Sequence, residues 1–288
     1  MGNLRTAGLL LLTALVAPLP GPPAAGAQGV TETKAEAPSH PAFVPVIDLW
    51  GAIKDFGNET WLVASSPARL DGRSGAKLGS VLVMGGVFFA LDEQIRDELQ
   101  VEEDRNGLHG LVRDIGDFVE PVGLQGNTNA YWAGLAVLGY LTRQDWLHDP
   151  AKQILYSHWI GGLGRQLAGR VVGRRRPKDG FGAYDFNPGD GTSFPSGHSA
   201  AIFELAYVLN HHINKWPATV VLYGLAGITA FQRVDSDAHW MSDAWLGSAW
   251  GLLVAKTVVA AEESGRSDLV PTIDVGNGRL GIGLAFRF

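Results

Sequence analysis

Pro195-Ser196-Gly197-His198 stands immediately ahead of an apolar run, and Pro then Ser in that position is a helix-start signal. A helix beginning at Gly197 aims the free N–H groups of Gly197, His198 and Ser199, with the positive end of its dipole behind them, at whatever lies in front. An anion fits such a place. Further along come Arg233, His239 and Asp243. The segment Ala238 to Thr257 reads as helical, so His239 and Asp243, four apart, are expected on one face. The carboxylate would then accept from one imidazole nitrogen and leave the other free as a nucleophile or base. An anion cradle beside an oriented imidazole is the equipment of phosphoryl chemistry.

Each piece alone has a plainer explanation: a Ser-Gly helix cap is common, and a lone His is more often a satisfied interior residue. The combination is harder to dismiss. At average residue frequencies the tetrapeptide arises by chance in roughly two of a thousand chains of this length, before Arg176-Pro177 upstream and the downstream triplet are required. Charge agrees. The chain has 23 Lys and Arg against 29 Asp and Glu, a net charge of −6, which speaks against nucleic acid as a partner. Its positive charge is local instead: Arg165, Arg170, Arg174, Arg175, Arg176 and Lys178 crowd one segment, which beside the tetrapeptide reads as anion binding.

These residues resemble the signature of the type 2 phosphatidic acid phosphatase superfamily, which also holds bacterial acid phosphatases and vanadium haloperoxidases. That signature, Lys-x6-Arg-Pro, Pro-Ser-Gly-His and Ser-Arg-x5-His-x3-Asp, is met here by Gly169-x6-Arg176-Pro177, Pro195-Ser196-Gly197-His198 and Gln232-Arg233-x5-His239-x3-Asp243. The likeness extends over roughly residues 75 to 260. It implies that His239, held by Asp243, attacks phosphorus, that His198 serves as acid and then base, and that Arg176, Arg233, Ser196 and the Gly197 N–H hold the phosphate oxygens. No metal or cofactor is implied for a phosphatase. The first motif position is Gly169 rather than Lys, and Arg170 beside it is taken as the substitute, with Arg165 expected to matter little. The alternatives are a vanadium-dependent haloperoxidase and a non-catalytic outer-envelope protein that keeps the fold. Implied partners are a phosphorylated lipid or small-molecule substrate, with membrane contact and without nucleic acid.

The elements that must carry these residues read as an all-α helical bundle with the site between helices. Residues 1–27, with Arg5, the apolar run from Leu9 to Ala17 and Ala25-Gly26-Ala27, have the form of a secretory signal peptide, which predicts export to the periplasm. With no cysteine in the chain, stability must come from a core rather than from disulfides. Residues 28–45 read as a flexible leader, 46–263 as the helical domain, and 268–288 as a β-hairpin turning at Asn277-Gly278. Within the domain, short helical pieces are expected between Val46 and Pro67 with Trp50, Ile53 and Trp61 as core contacts. Then come one long helix or two over Lys77 to Gln100, broken near Asp92, a one-faced helix around Leu108 to Val119, and helices over Thr128–Thr142, Trp146–Val172, Gly197–Ile213, Trp216–Arg233 and Ala238–Ala261. The longest uncharged apolar stretches fall short of the ~20 residues that span a bilayer, so a soluble or membrane-associated protein is expected, with integral membrane insertion as the alternative.

Overall fold

The structure is a computed structural model that describes residues 49–69, 71–99, 108–123 and 125–264, with the backbone of 269–276 and 279–286. The expected signal peptide and leader lie outside the described residues. Within them the chain forms eight α-helices: α1 (Leu49–Ala64), α2 (Gly72–Leu99), α3 (Leu108–Val119), α4 (Gln125–Thr142), α5 (Asp145–Val172), α6 (Gly197–Ile213), α7 (Trp216–Asp235) and α8 (Met241–Glu263). The all-α expectation is met. For the expected hairpin, the backbone of Leu269–Gly276 and Arg279–Phe286 runs as an antiparallel pair, but its side chains lie outside the described residues.

Helix α6 is the centre. Helices α5, α7 and α8 pack on it, together with a 3-10 turn, Glu120–Gly123, that follows α3. Its apolar residues Ile202, Leu205, Val208 and Leu209 meet Ile154 of α5, Leu222 and Ala226 of α7 and Ala255 and Val259 of α8 in one buried cluster. Each large aliphatic side chain so buried stabilises the fold by about 1.5–3 kcal/mol. Two glycines set the closest of these approaches. A Cβ on Gly247 would stand 2.4 Å from the Ser196 carbonyl oxygen, and one on Gly251 would stand 2.2 Å from that of Ala200. One turn apart on α8, they let its backbone lie directly against the start of α6.

Three expectations about these elements are corrected. Helix α2 does not break near Asp92; that residue is buried in an unbroken helix because its carboxylate has partners, the Arg174 guanidinium at 2.8 Å and Ser242 at 2.6 Å from its hydroxyl and 2.9 Å from its amide. The short pieces before Pro67 are one helix, α1, on which Ile53 and Trp61 are exposed rather than in the core; the Trp50 side chain lies outside the described residues. Helix α8 begins at Met241 instead of Ala238, which matters for the site.

The apolar surface of α2 is largely uncovered. Leu82, Val83, Met84, Val87 and Leu91 are all exposed, and only 6% of its most apolar 18-residue window is buried. Helix α2 and helix α8 are each long and apolar enough to cross a bilayer, but half of the corresponding α8 window is buried inside the protein.

Buried Arg174, between α5 and α6, joins distant parts of this architecture. Its guanidinium donates to Asp92 at 2.8 Å, to Asp243 at 2.8 Å, to Ser242 Oγ at 2.7 Å and to the Ala183 carbonyl at 2.8 and 3.0 Å. Removing one partner of such a buried pair leaves charge uncompensated. Asp92→Ala is therefore expected to destabilise the fold by about 3 kcal/mol, whereas Arg96→Ala, which breaks the part-exposed pair to Asp237, costs below about 1 kcal/mol. Denaturant midpoints of the two variants check this; equal shifts would contradict it.

Candidate active site

The start of α6 is built as the tetrapeptide suggests. Ser196 is the N-cap, and its Oγ accepts from the Ser199 amide at 3.4 Å and from the Ser199 hydroxyl at 2.9 Å. The Ser196 amide in turn donates to the Asp243 carbonyl at 3.0 Å, which ties the loop to the beginning of α8. The 3-10 turn closes over His198: a Cβ on Gly123 would lie 3.4 Å from the imidazole Cδ2. From the same turn Glu120 faces both His198 and Arg233. Its Oε1 is 2.9 Å from Arg233 Nη1 and 3.2 Å from His198 Nε2, the latter an ion contact rather than an aligned hydrogen bond. His198 and Arg233 together hold the Glu120 carboxyl below the usual range, against the opposing effect of burial. A charged carboxylate thus lies against both the imidazole and the guanidinium. Sequence reasoning missed Glu120, since nothing in its spacing links it to residues far downstream.

His239 is buried, and its Nδ1 lies 2.7 Å from the Ser193 carbonyl oxygen. A carbonyl only accepts, so Nδ1 carries the proton and Nε2 keeps its lone pair. The expected His239–Asp243 hydrogen bond is not made. His239 precedes Met241, the first residue of α8, so the one-turn spacing that would stack the two side chains does not apply. Asp243 instead accepts from Ser193 Oγ at 2.5 Å, from Arg174 at 2.8 Å and from the Trp240 amide at 3.3 Å. The carboxylate still orients the imidazole, but through Ser193: the hydroxyl goes to Asp243 and the carbonyl to His239.

Arg176 follows the end of α5 and donates to the Thr192 hydroxyl and carbonyl, both at 3.1 Å. It lies close enough to act electrostatically on His239 and on Arg233, and Arg233 and His198 act on His239 in the same way. His198, His239, Arg176, Arg233, Ser196 and Gly197 are therefore brought to one place. Arg170 is not. It is exposed on α5, and its backbone carbonyl accepts from the Gly189 amide at 2.7 Å. Besides Arg176, the residue of the basic cluster that reaches the site is Arg165, whose guanidinium abuts Gly197. Among the other acids near the site, Asp237 pairs with Arg96 at 2.9 Å and Asp235 with Arg113 at 3.7 Å.

Burial first, and then Arg176, push the His239 pKa well below the ordinary imidazole value of 6.5, outweighing the Ser193 hydrogen bond. The folded protein keeps this imidazole neutral at pH values where the unfolded chain protonates it, so stability on this account is level above pH 6.5 and falls as the pH drops below it. The melting-temperature advantage of the native protein over His239→Ala is expected to shrink between about pH 7 and pH 5. An advantage that widened on acidification would show that the imidazole is held charged.

Comparison with known proteins bears on this geometry. The family model of the PAP2 superfamily matches residues 150–264, which contain all three motif parts. A lipid A 1-phosphatase of Porphyromonas gingivalis is 34% identical over 104 residues, 33% of this chain, and the match spans only about a fifth, 21%, of that protein's length. A solved transmembrane PAP2 type phosphatidylglycerolphosphate phosphatase from Bacillus subtilis overlaps 75% of this chain and 98% of its own with 17% identity and a TM-score of 0.47. Residues 150–264, which carry every motif residue of the site though not Glu120, are thus similar to the PAP2 superfamily.

Proposed function

We propose that the protein is a phosphatase that hydrolyses phosphate esters carrying an apolar tail, through a phosphohistidine on His239. The observation that carries this reading is a buried neutral imidazole whose Nε2 lone pair is left free by the Nδ1–Ser193 bond, set among Arg176, Arg233 and the head of α6. In the first step Nε2 attacks phosphorus, the N–P bond forms and the P–O bond to the alcohol breaks. The leaving oxygen takes a proton from His198, which stands beside the Glu120 carboxylate. In the second step neutral His198 takes a proton from water as the new P–O bond forms and the N–P bond breaks. Inorganic phosphate leaves, and both histidines return to their starting states. Charge on the equatorial oxygens is met by Arg176, Arg233, the Ser196 hydroxyl and the Gly197 amide, fixed before the substrate arrives.

Two features favour a substrate with an apolar tail. The exposed apolar face of α2 suits lipid rather than water, since a patch of that kind marks a membrane or partner surface. Between α2, α6, α7 and α8 lies a cleft of about 330 Å³ lined by Val81, Phe88, Phe203, Phe231, Met241 and Trp245. Met241 begins the helix that follows His239, and Phe231 lies two residues before Arg233. Membrane association through α2 and export by the 1–27 segment complete the proposal, placing the site at a periplasmic membrane surface.

Because arginines, histidines and a helix N-terminus supply the charge, hydrolysis should not require a divalent ion. Detergent-purified protein is expected to release phosphate from phosphatidate and other lipid phosphates in the presence of EDTA, and His239→Ala to release none. Activity abolished by EDTA and restored by magnesium would overturn the metal-independent mechanism. Bromide peroxidation with added vanadate but no phosphate release would favour haloperoxidase chemistry instead.

A further inference from the structure

Helix α5 meets the start of α6 at two points. A Cβ on buried Gly169 would lie 2.9 Å from the Phe194 carbonyl oxygen, so the helix runs against the loop here with no room for a side chain. One turn earlier on the same face, Arg165 extends its guanidinium over Gly197: Cζ, Nε and Nη1 would stand 2.7, 2.9 and 2.9 Å from a Cβ on that glycine. Gly197 is the first residue of α6, where the helix presents free N–H groups. Arg165 also acts electrostatically on Arg176, which in turn acts on Arg233 and His239. Burial lowers the Arg165 pKa, and fully buried Glu204 of α6, whose own carboxyl burial pushes well up, lies close enough to act in the opposite sense. Arg170, one residue past Gly169 and about 100° around the helix, faces away.

We infer that Arg165 is a ligand of the bound phosphoryl group, contacting it over Gly197 and supplying from one turn earlier the cation that position 169 cannot carry. The inference rests on the phosphatase reading of the site. Its chemistry is that of a planar guanidinium donating to phosphate oxygens beside a helix N-terminus, and lysine reproduces the charge but not the fork.

Inorganic phosphate binding, by calorimetry on the detergent-solubilised full chain, and p-nitrophenyl phosphate turnover test it in parallel. Arg165→Ala is expected to lower kcat/KM about 10²–10³-fold, as loss of a transition-state donor does, and to weaken phosphate binding at least about tenfold. Arg165→Lys should recover part of both losses and Arg170→Ala should change neither. Gly197→Ala, which crowds the guanidinium, should weaken phosphate binding in the native protein and add little in Arg165→Ala. Should Arg165→Ala not fold, Arg165→Gln and Gly197→Ala carry the same test. Wild-type turnover and phosphate binding unaltered by loss of the Arg165 charge would overturn the inference and leave the phosphatase reading standing. A wild-type protein that binds phosphate through Arg165 but turns over no ester would sustain the ligand and overturn the reading.

Discussion

The structure depends on Arg174. A guanidinium with no water around it is tolerable only if every donor is used, and here Asp92, Asp243, Ser242 and the Ala183 carbonyl use them. Rings of Phe89 and Trp240 lie within 4.9 and 5.3 Å of its centre. These partners come from α2, from the loop before α6 and from the start of α8. One cation therefore sets the distance between elements that are far apart in the chain. It also fixes the orientation of Asp243, whose second oxygen is left for Ser193, and Ser193 sets the His239 imidazole through its carbonyl. The alignment of His239 is thus inherited from an ion pair that touches neither the imidazole nor the substrate.

A second constraint is the closeness of backbones. Gly247 and Gly251 bring α8 onto the head of α6, Gly169 brings α5 onto the loop, and Gly197 leaves space for Arg165. Glycine at these places costs little, because the approaches it permits bury both helices. The result concentrates three arginines around a helix N-terminus, with Glu120 against Arg233 and His198. Such a site is positive before any anion arrives, and the energy of assembling like charges is met by the fold rather than by the bound ligand.

Much of this was legible in the sequence. The boundaries of α6 follow from Ser196 as cap and the apolar run after it, and the motif residues His198, Arg176, Arg233 and His239 do converge. What misled was local geometry at α8. Reading a helix from Ala238 stacked His239 on Asp243, whereas the helix starts two residues beyond His239 and the carboxylate acts through Ser193. Arg170 was chosen as the neighbour of Gly169 in sequence, but neighbours on a helix point in different directions, and the residue one turn away is the one that shares its face. Asp92 looked like a helix breaker because its partners lie 82 and 150 residues away. Ile53 and Trp61 looked like core because apolar residues usually are, but on α1 both stand on the exposed side.

The central claim is that His239 Nε2 becomes bonded to phosphorus. Trapping that bond tests it most directly: His198→Ala protein, given p-nitrophenyl phosphate, quenched without acid and examined by peptide mass spectrometry. Its good leaving group needs no proton, so attack proceeds, while the second step lacks its base. The account predicts a burst of p-nitrophenol and a phosphate on the peptide containing His239, absent from the double variant that also lacks His239. Phosphate carried by any other residue, or turnover by His239→Ala, would contradict it.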